Sequence, residues 1–290
     1  MLVKQRLHMQ KLSNALLSLV VLTYLLIVWG AIVRTTGSGL GCPDWPLCHG
    51  QIIPPFQADV LIEYTHRLLA SAVGLLTLGI CIAVWKHKEW CGQIGKFGNI
   101  ALVLLFVQVL LGGVTVKSEL HPQVVATHWA VALLFFTILI LTTLKASLGS
   151  LTTLPKTGWY KFSHALVGLL YLQMILGSLV SASNAGLACP DFPTCQGAWL
   201  PMLQGEVALH FFHRVGAFII SAMTLVLITG LWKKRLVKLI FALVLMQVLL
   251  GIGNVLYGLP LWMRLAHTAV AVLLFATLIV NTYALRRNPI

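Results

Sequence analysis

The sequence predicts an all-α polytopic membrane protein: eight transmembrane helices forming two tandem pseudo-symmetric four-helix bundles, with both termini cytoplasmic. Composition, the length of the apolar runs and an internal repeat predict it. Of 290 residues only 9% are charged and 59% are hydrophobic, with a mean hydropathy of +0.92, whereas soluble domains carry about 25% charged residues. Crossing roughly 30 Å of hydrocarbon takes about 20 apolar residues. Eight such runs lie at about 12–33, 63–85, 97–116, 124–145, 160–181, 207–231, 236–255 and 262–285. Little chain is left over, so no separate soluble domain is expected.

The first run follows Lys4, Arg6 and Lys11. It is longer than a secretory h-region and no small-x-small cleavage site follows it, so a retained helix is expected. No Arg- and Ser-rich amphipathic transit segment is present either, which favours a bacterial plasma membrane over an organelle. The net charge of +13 would suit a nucleic-acid binder, but the placement of the charges excludes that. With the N-terminus inside, fifteen Lys and Arg fall on cytoplasmic segments. Only Arg34, Arg67, Lys117, Arg214 and Arg264 fall outside. That is the positive-inside asymmetry.

The runs group into two sets of four. GLGCPDWPLCHG (Gly39 to Gly50) matches GLACPDFPTCQG (Gly186 to Gly197), and THRLLAS matches FHRVGAF, at an offset of 147. QVLLGGV (from Gln108) matches QVLLGIG (from Gln247), and THWAVALLF matches AHTAVAVLLF, at an offset of 139. The second half is therefore eight residues shorter between its second and third helices or in the loop that follows. An even helix count per repeat gives both halves the same orientation, related by an axis along the membrane normal. The stretch 146–159, rich in Ser, Thr, Gly and Pro, reads as an inter-half linker. It separates a half at 1–148 from one at 149–290, each a bundle able to house a cofactor between facing helices. The two Cys-bearing outer segments read as compact turns rather than helix.

Four histidines fall at one depth. His66, His128, His213 and His267 each lie in the first turn or two of an even-numbered helix, at the outer side. A lone membrane histidine is usually an interhelical hydrogen bonder. Four in a repeated pattern, where polar groups are costly, point to metal or haem ligation. No repeated third or fourth ligand completes a tetrahedral zinc site, whereas two axial nitrogens suffice for a haem iron. Arg67 and Arg214 follow the second-helix histidines and could pair with propionates or snorkel to headgroups. Gly112, Gly113, Gly251 and Gly253 allow close approach of a neighbouring helix or a porphyrin face, with helix packing preferred.

The halves differ at one position. Glu63 lies three residues before His66 on the same helical face, and its repeat partner is His210. A carboxylate beside one ligand could accept a proton or face a developing cation; the alternative is a simple pairing with Arg67. His210 and His213 both remain ligand candidates in the second half, with the repeat favouring His213. Cys42 and Cys48, like Cys189 and Cys195, frame a Cys-x5-Cys outer loop, where disulfides persist. The expected pairs Cys42–Cys48 and Cys189–Cys195 staple the loops, and a thiol-exchange role for the first pair stays open. No C-x-x-C-H haem attachment is present. Cys81 and Cys91 are expected as free thiols near the inner face. His8, His49, His87 and His164 carry no assigned chemistry, and His121 only a polar contact.

These features resemble the haem A synthase family: duplicated four-helix halves, EYTHR, THWAVA, FFHR, AHTAVA and GAIVRTTGSGLGCPDWPLCHGQ, from about residue 15 to 285. Two Cys pairs resemble its Cys-bearing bacterial type. The resemblance implies oxidation of the C8 methyl of haem O to a formyl group, giving haem A for cytochrome oxidase, with water-derived oxygen and two successive oxidations. It implies His66 and His128 as ligands of the substrate haem iron, His213 and His267 as ligands of a permanent haem b, and Glu63 as the essential carboxylate. It also implies haem O synthase and cytochrome oxidase assembly factors as partners, and leaves a homo-oligomer open. The main rival is a di-haem b-type electron-transfer cytochrome linked to quinol, without haem conversion. A haem or metal transporter ranks last, because ionisable residues are almost absent from the inner halves of the helices.

Overall fold

The structure is a computed structural model that describes residues 2–148 and 158–287. The expected linker falls mostly outside them, at 149–157. All eight expected membrane spans are helices: α1 (Leu2–Thr35), α2 (Ala58–Lys86), α3 (Lys88–Lys117), α4 (Pro122–Leu148), α5 (Gly158–Ala182), α6 (Gly205–Gly230), α7 (Arg235–Leu256) and α8 (Leu261–Arg287). Each is long and apolar enough to cross a membrane. Among the described residues no strand forms; two isolated bridges in the outer loops are the only extended pairings.

The helices outrun the apolar runs, because hydropathy marks only the part that needs hydrocarbon. α1 starts near the N-terminus, through polar residues that helix geometry accepts. α3 starts at Lys88, with His87 alone separating it from α2. The sequence KEWCGQIG is thus a helical extension rather than a loop. α3 has 30 residues and α7 has 22, so the eight-residue difference between the repeats lies at the start of the third helix. Pro122 opens α4, where its missing N–H would be an orphan in any case.

The described chain forms two compact units. One holds the described residues of Met1–Lys117, Val131–Pro155 and Tyr283–Pro289; the other holds those of Ser118–Ala130 and Lys156–Thr282. In the first, Leu12, Leu16 and Leu19 of α1 pack with Val73, Ile80 and Val84 of α2, Ile94 and Ala101 of α3 and Leu139 of α4. The spacing of three and four residues puts each set on one face of its helix. In the second, Leu166, Leu170 and Met174 of α5, Ile220 and Leu227 of α6, and Ile240 and Leu243 of α7 are buried with the same spacing. Ser163, Asn281 and Thr282 add a buried polar contact between α5 and α8. The large apolar side chains that remain exposed, among them Leu75, Val103, Phe106 and Leu172, lie on spans whose solvent would be lipid.

Each outer loop leaves its helix through a left-handed residue, Gly37 (φ 75°) after α1 and Asn184 (φ 54°) after α5. Glycine has no Cβ penalty there and asparagine tolerates the conformation. A single 3₁₀ turn follows, at Ser38–Leu40 and at Ala185–Leu187. The expected compact turns therefore contain one tight helical turn each.

Candidate functional site

The first outer loop closes through its cysteines: Cys42 and Cys48 are joined, with Cα atoms 4.7 Å apart. The backbones of Cys48 and Gln51 exchange both hydrogen bonds at 3.1 Å. Inside the turn the Asp44 carboxylate accepts from the backbone N–H of His49 (2.6 Å) and of Gly50 (2.7 Å). Those N–H groups, Gly50 first, hold the Asp44 carboxyl below the usual carboxylate range. His49 Nε2 meets the Gly41 carbonyl at 2.9 Å.

α2 plugs this loop from below. Arg67 donates through Nη1 to the carbonyls of Asp44 (2.8 Å) and Leu47 (2.7 Å), and through Nη2 to the carbonyl of Cys42 (2.8 Å). The same Nη2 pairs with Glu63 Oε1 at 2.6 Å, one turn earlier on α2. Glu63 Oε2 accepts the Cys42 backbone N–H at 2.8 Å. Only 4% of Glu63 is exposed. A buried carboxylate with a guanidinium on one oxygen and an amide on the other is held by short, charge-assisted bonds. The carboxylate pairs with Arg67, as the simpler expectation had it, and the pair is also tied to the disulfide loop.

The second loop repeats this arrangement. Cys189 and Cys195 are joined, with Cα atoms 4.5 Å apart, and Cys195 pairs with Ala198. Asp191 accepts from the backbone N–H of Gln196 (2.6 Å) and Gly197 (2.9 Å), and from the Thr194 hydroxyl. The Thr194 hydroxyl above all, then Gly197, lowers the Asp191 carboxyl to about 2. Arg214 donates to the carbonyls of Asp191 (2.8 Å), Thr194 (2.8 Å) and Cys189 (2.6 Å). The slot that Glu63 fills in the first loop is filled here by His210. Its Nε2 takes the Arg214 Nε–H at 3.2 Å, and its Nδ1 lies 3.3 Å from the Cys189 N–H. A neutral imidazole has one acceptor nitrogen. His210 therefore satisfies one of its two donors well, where Glu63 satisfies both.

The four histidines lie deeper than the first turn. His66 and His213 are eight residues past the starts of α2 and α6, about 12 Å along the axis, and His128 and His267 are six past the starts of α4 and α8, about 9 Å. All four are half-buried. The Nδ1 atoms of His66, His128 and His267 are buried, and that of His213 meets the Gln173 amide. The rings of three lie on glycine. An added Cβ would come within 3.1 Å of His66 at Gly30, 2.8 Å of His213 at Gly177 and 3.3 Å of His267 at Gly251.

Imidazole is a donor that suits an axial position on a porphyrin iron. The Nδ1 atoms of His66, His128 and His267 lie inside the protein, the orientation in which a histidine presents Nε2 to a metal. Among the described residues no cluster of three or more His, Cys, Asp or Glu could hold an ion by itself.

Of the third-helix glycines, Gly251 and Gly253 make room for His267 and Met263 of α8, the helix packing that was preferred. Gly113 instead admits the indole of Trp45 from the first disulfide loop, with a Cβ only 3.1 Å away. Cys81 is buried against the Gly98 carbonyl, Cys91 is exposed, and both are free thiols. His87 contacts Trp90 and His164 stacks on Tyr160. Sequence reasoning missed Asp44 and Asp191, although an Asp stands two residues after the first Cys of both loops. It also missed Gly30, Gly177 and Gln173.

Residues 13–279 match the profile of the COX15-CtaA family, described as Cytochrome oxidase assembly protein. The chain is 34% identical to a protein of Halalkalibacterium halodurans named Heme A synthase, over 91% of this chain and 93% of that one. It is 31% identical to the Heme A synthase of Alkalihalophilus pseudofirmus, over 96% and 97%. It is 32% identical to that of Shewanella oneidensis, over 91% and 94%.

Proposed function

This chain belongs to the COX15-CtaA family of cytochrome oxidase assembly proteins, and from that premise we propose that it is a haem A synthase. It is then an oxidoreductase that converts the C8 methyl of haem O to a formyl group, giving haem A for cytochrome oxidase. The observation that carries the proposal is the unequal filling of two like slots: a buried carboxylate, Glu63, one turn from His66, and a neutral imidazole, His210, one turn from His213. An electron carrier has no use for that carboxylate; an oxidation that releases protons does.

The proposed pockets follow the repeat halves 1–148 and 149–290, a division by sequence repeat rather than by packing. The four-helix halves are related by an axis along the membrane normal, both termini are cytoplasmic, and the sites lie near the outer face of a bacterial plasma membrane. His66 and His128 would ligate the iron of the substrate, haem O, and His213 and His267 would hold a resident haem b. When bound, that haem supplies a one-electron relay.

The chain's own residues do the rest. With both His66 and His128 taken up by the substrate iron, oxidation would fall at the porphyrin edge. Two successive two-electron oxidations would take the methyl through a hydroxymethyl to the formyl, each releasing two protons, with oxygen from water and the four electrons passed on to an external electron acceptor. Glu63 takes a proton from that water or stabilises positive charge on the reacting carbon. Arg67 and the Cys42 N–H hold the carboxylate in place, and the disulfide fixes the Cys42 N–H. The nitrogens Nη1 and Nη2 of Arg67 and Arg214 are taken up by loop carbonyls and slot residues, so a propionate would have to approach Arg67 through Nε or share these donors. Haem O synthase and oxidase assembly factors are the proposed partners.

Glu63→Gln tests the assignment. The variant is expected to keep its haem content and to accumulate haem O or the hydroxymethyl species, read by mass analysis of extracted haems. Conversion at the wild-type rate would remove Glu63 from the chemistry.

A further inference from the structure

Each disulfide loop returns to the next helix through a short apolar strap. After the pairing of Cys48 with Gln51, and of Cys195 with Ala198, the chain runs through IIPPFQ (52–57) into α2 and through WLPMLQ (199–204) into α6. Both straps are held in place. Pro54 and Pro201 are buried, and the last N–H of each strap turns back on it, Gln57 donating to the Pro55 carbonyl and Gln204 to the Met202 carbonyl, both at 3.0 Å. Beside the first strap the backbones of loop and helix touch: a Cβ at Gly41 would fall 2.6 Å from the Asp59 carbonyl. The side chains between these fixed points nevertheless face out. Ile52, Ile53 and Phe56 are 78%, 67% and 84% exposed, and Trp199, Leu200 and Met202 are 76%, 71% and 74% exposed. They are as open as Leu75 of α2, at 72%, on a span whose solvent would be lipid.

Exposed apolar clusters mark a surface for a protein or for a membrane, and three observations favour the membrane. The first is position. At 1.5 Å per residue the 29 residues of α2 and the 26 of α6 run for about 43 and 39 Å, close to the depth of hydrocarbon plus both headgroup layers, about 40–45 Å. The straps end where those spans begin, so they start from headgroup level. The second is charge. Neither strap carries a charged residue, and the next ones along the chain, Asp59 and Glu206, are exposed acids. The third is the repeat. At the offset of 147 the disulfide ring keeps both Cys, the Asp and both Pro, whereas the strap keeps Pro54 and Gln57 and exchanges every outward side chain, with Trp199 for Ile52, Leu200 for Ile53 and Leu203 for Phe56. A protein partner demands matched shape; hydrocarbon accepts any apolar side chain. Trp199 is in addition the residue type enriched where membrane meets water.

We propose that the two straps are interfacial anchors, each laid into the headgroup–acyl boundary of the leaflet that its loop faces. Their occupant is lipid, taken by apolar burial and not by headgroup charge. The Cys42 N–H that holds Glu63 then belongs to a loop fixed by its disulfide, by Arg67 and by the bilayer. The anchors are independent of which histidines hold haem.

The test uses the full chain in phosphatidylcholine nanodiscs. Ile53→Cys and Leu200→Cys each carry a nitroxide, with the free thiols Cys81 and Cys91 replaced by serine. Both labels are expected to be relaxed more by oxygen than by a water-soluble nickel chelate, and to the same extent when part of the lipid is exchanged for phosphatidylglycerol. Readier access of nickel than of oxygen would place the straps in water and overturn the proposal. Shielding from both would mean cover by protein, a second copy or a partner, and would overturn it too, as would protection that appears only with anionic lipid. Trp199→Phe checks the second strap without a new cysteine. Lipids brominated near the top of their chains should quench less of the tryptophan fluorescence in the variant than in the wild type, and equal quenching would take Trp199 out of the bilayer.

Discussion

The two disulfide loops are built alike and loaded differently. In both, a Cys-x5-Cys ring is closed, an Asp caps two backbone N–H groups, and an Arg from the following helix donates to three loop carbonyls. In both, the first Cys offers its N–H to a side chain 21 residues on. The first loop offers it to a carboxylate and the second to an imidazole. A shared scaffold with one changed group separates what the scaffold needs from what the chemistry needs. The loop does not require an acid in that slot, since His210 fills it, so the acid at Glu63 answers to something other than folding.

The largest expected effect comes from erasing that difference. Glu63→His gives the first slot the residue of the second. It should lower haem O conversion by about 10²- to 10⁴-fold, the usual contribution of a positioned proton acceptor, with haem content near wild type. The reverse swap, His210→Glu, should leave conversion within a few-fold of wild type. Haem extraction and mass analysis of both variants check the pair. Equal rates in Glu63→His and wild type would mean that the asymmetry is a relic.

A second, smaller effect sharpens the comparison energetically. Arg67→Ala leaves the Glu63 charge buried with the Cys42 N–H as its remaining partner, and orphaning one member of a buried pair costs roughly 3–5 kcal/mol. Arg67 is itself partly exposed, which puts the expected loss at the low end. Arg214→Ala removes the same carbonyl contacts but leaves a neutral imidazole, so about 1–2 kcal/mol is expected from the lost hydrogen bonds. Thermal melts of the two variants in one detergent should rank Arg67→Ala below Arg214→Ala. The same melting point for both would show that Glu63 is protonated in the folded protein.

What the sequence made legible follows the same division. Eight spans were readable because hydrocarbon demands about 20 apolar residues. The starts of α1 and α3 were not, because polar residues such as Lys88 and Glu89 continue a helix beyond the hydrocarbon without leaving a hydropathy signal. Glu63 and the four histidines stood out as costly polar groups in apolar runs. The partners of Arg67 and Arg214 were hidden, since most are backbone carbonyls, which every residue carries. Asp44 and Asp191 were open to view as a repeated feature, and Gln173 as a departure from the repeat. Reading where the repeat fails, as well as where it holds, would have found both.

The smallest expected effect concerns the Asp caps. Backbone N–H groups lower Asp44, and the Thr194 hydroxyl with Gly197 and Gln196 takes Asp191 down to about 2. A carboxyl whose folded value is depressed stabilises its loop fully above its unfolded value, about 3.9. That contribution is lost as pH falls through the folded value. Hydrogen-exchange protection of the Gly50 and Gly197 amides, corrected for intrinsic rate, should therefore be flat from pH 7 to about 4 and fall below that. The Gly197 amide should hold out towards pH 2. Position 47, the counterpart of Thr194, is a leucine, so the first loop lacks the strongest of the Asp191 donors and should loosen at the higher pH. Asp191→Asn should abolish the acid step at Gly197 and leave that at Gly50. A loss of protection between pH 7 and 5 instead would assign the loops' acid sensitivity to histidine and break the account of the caps.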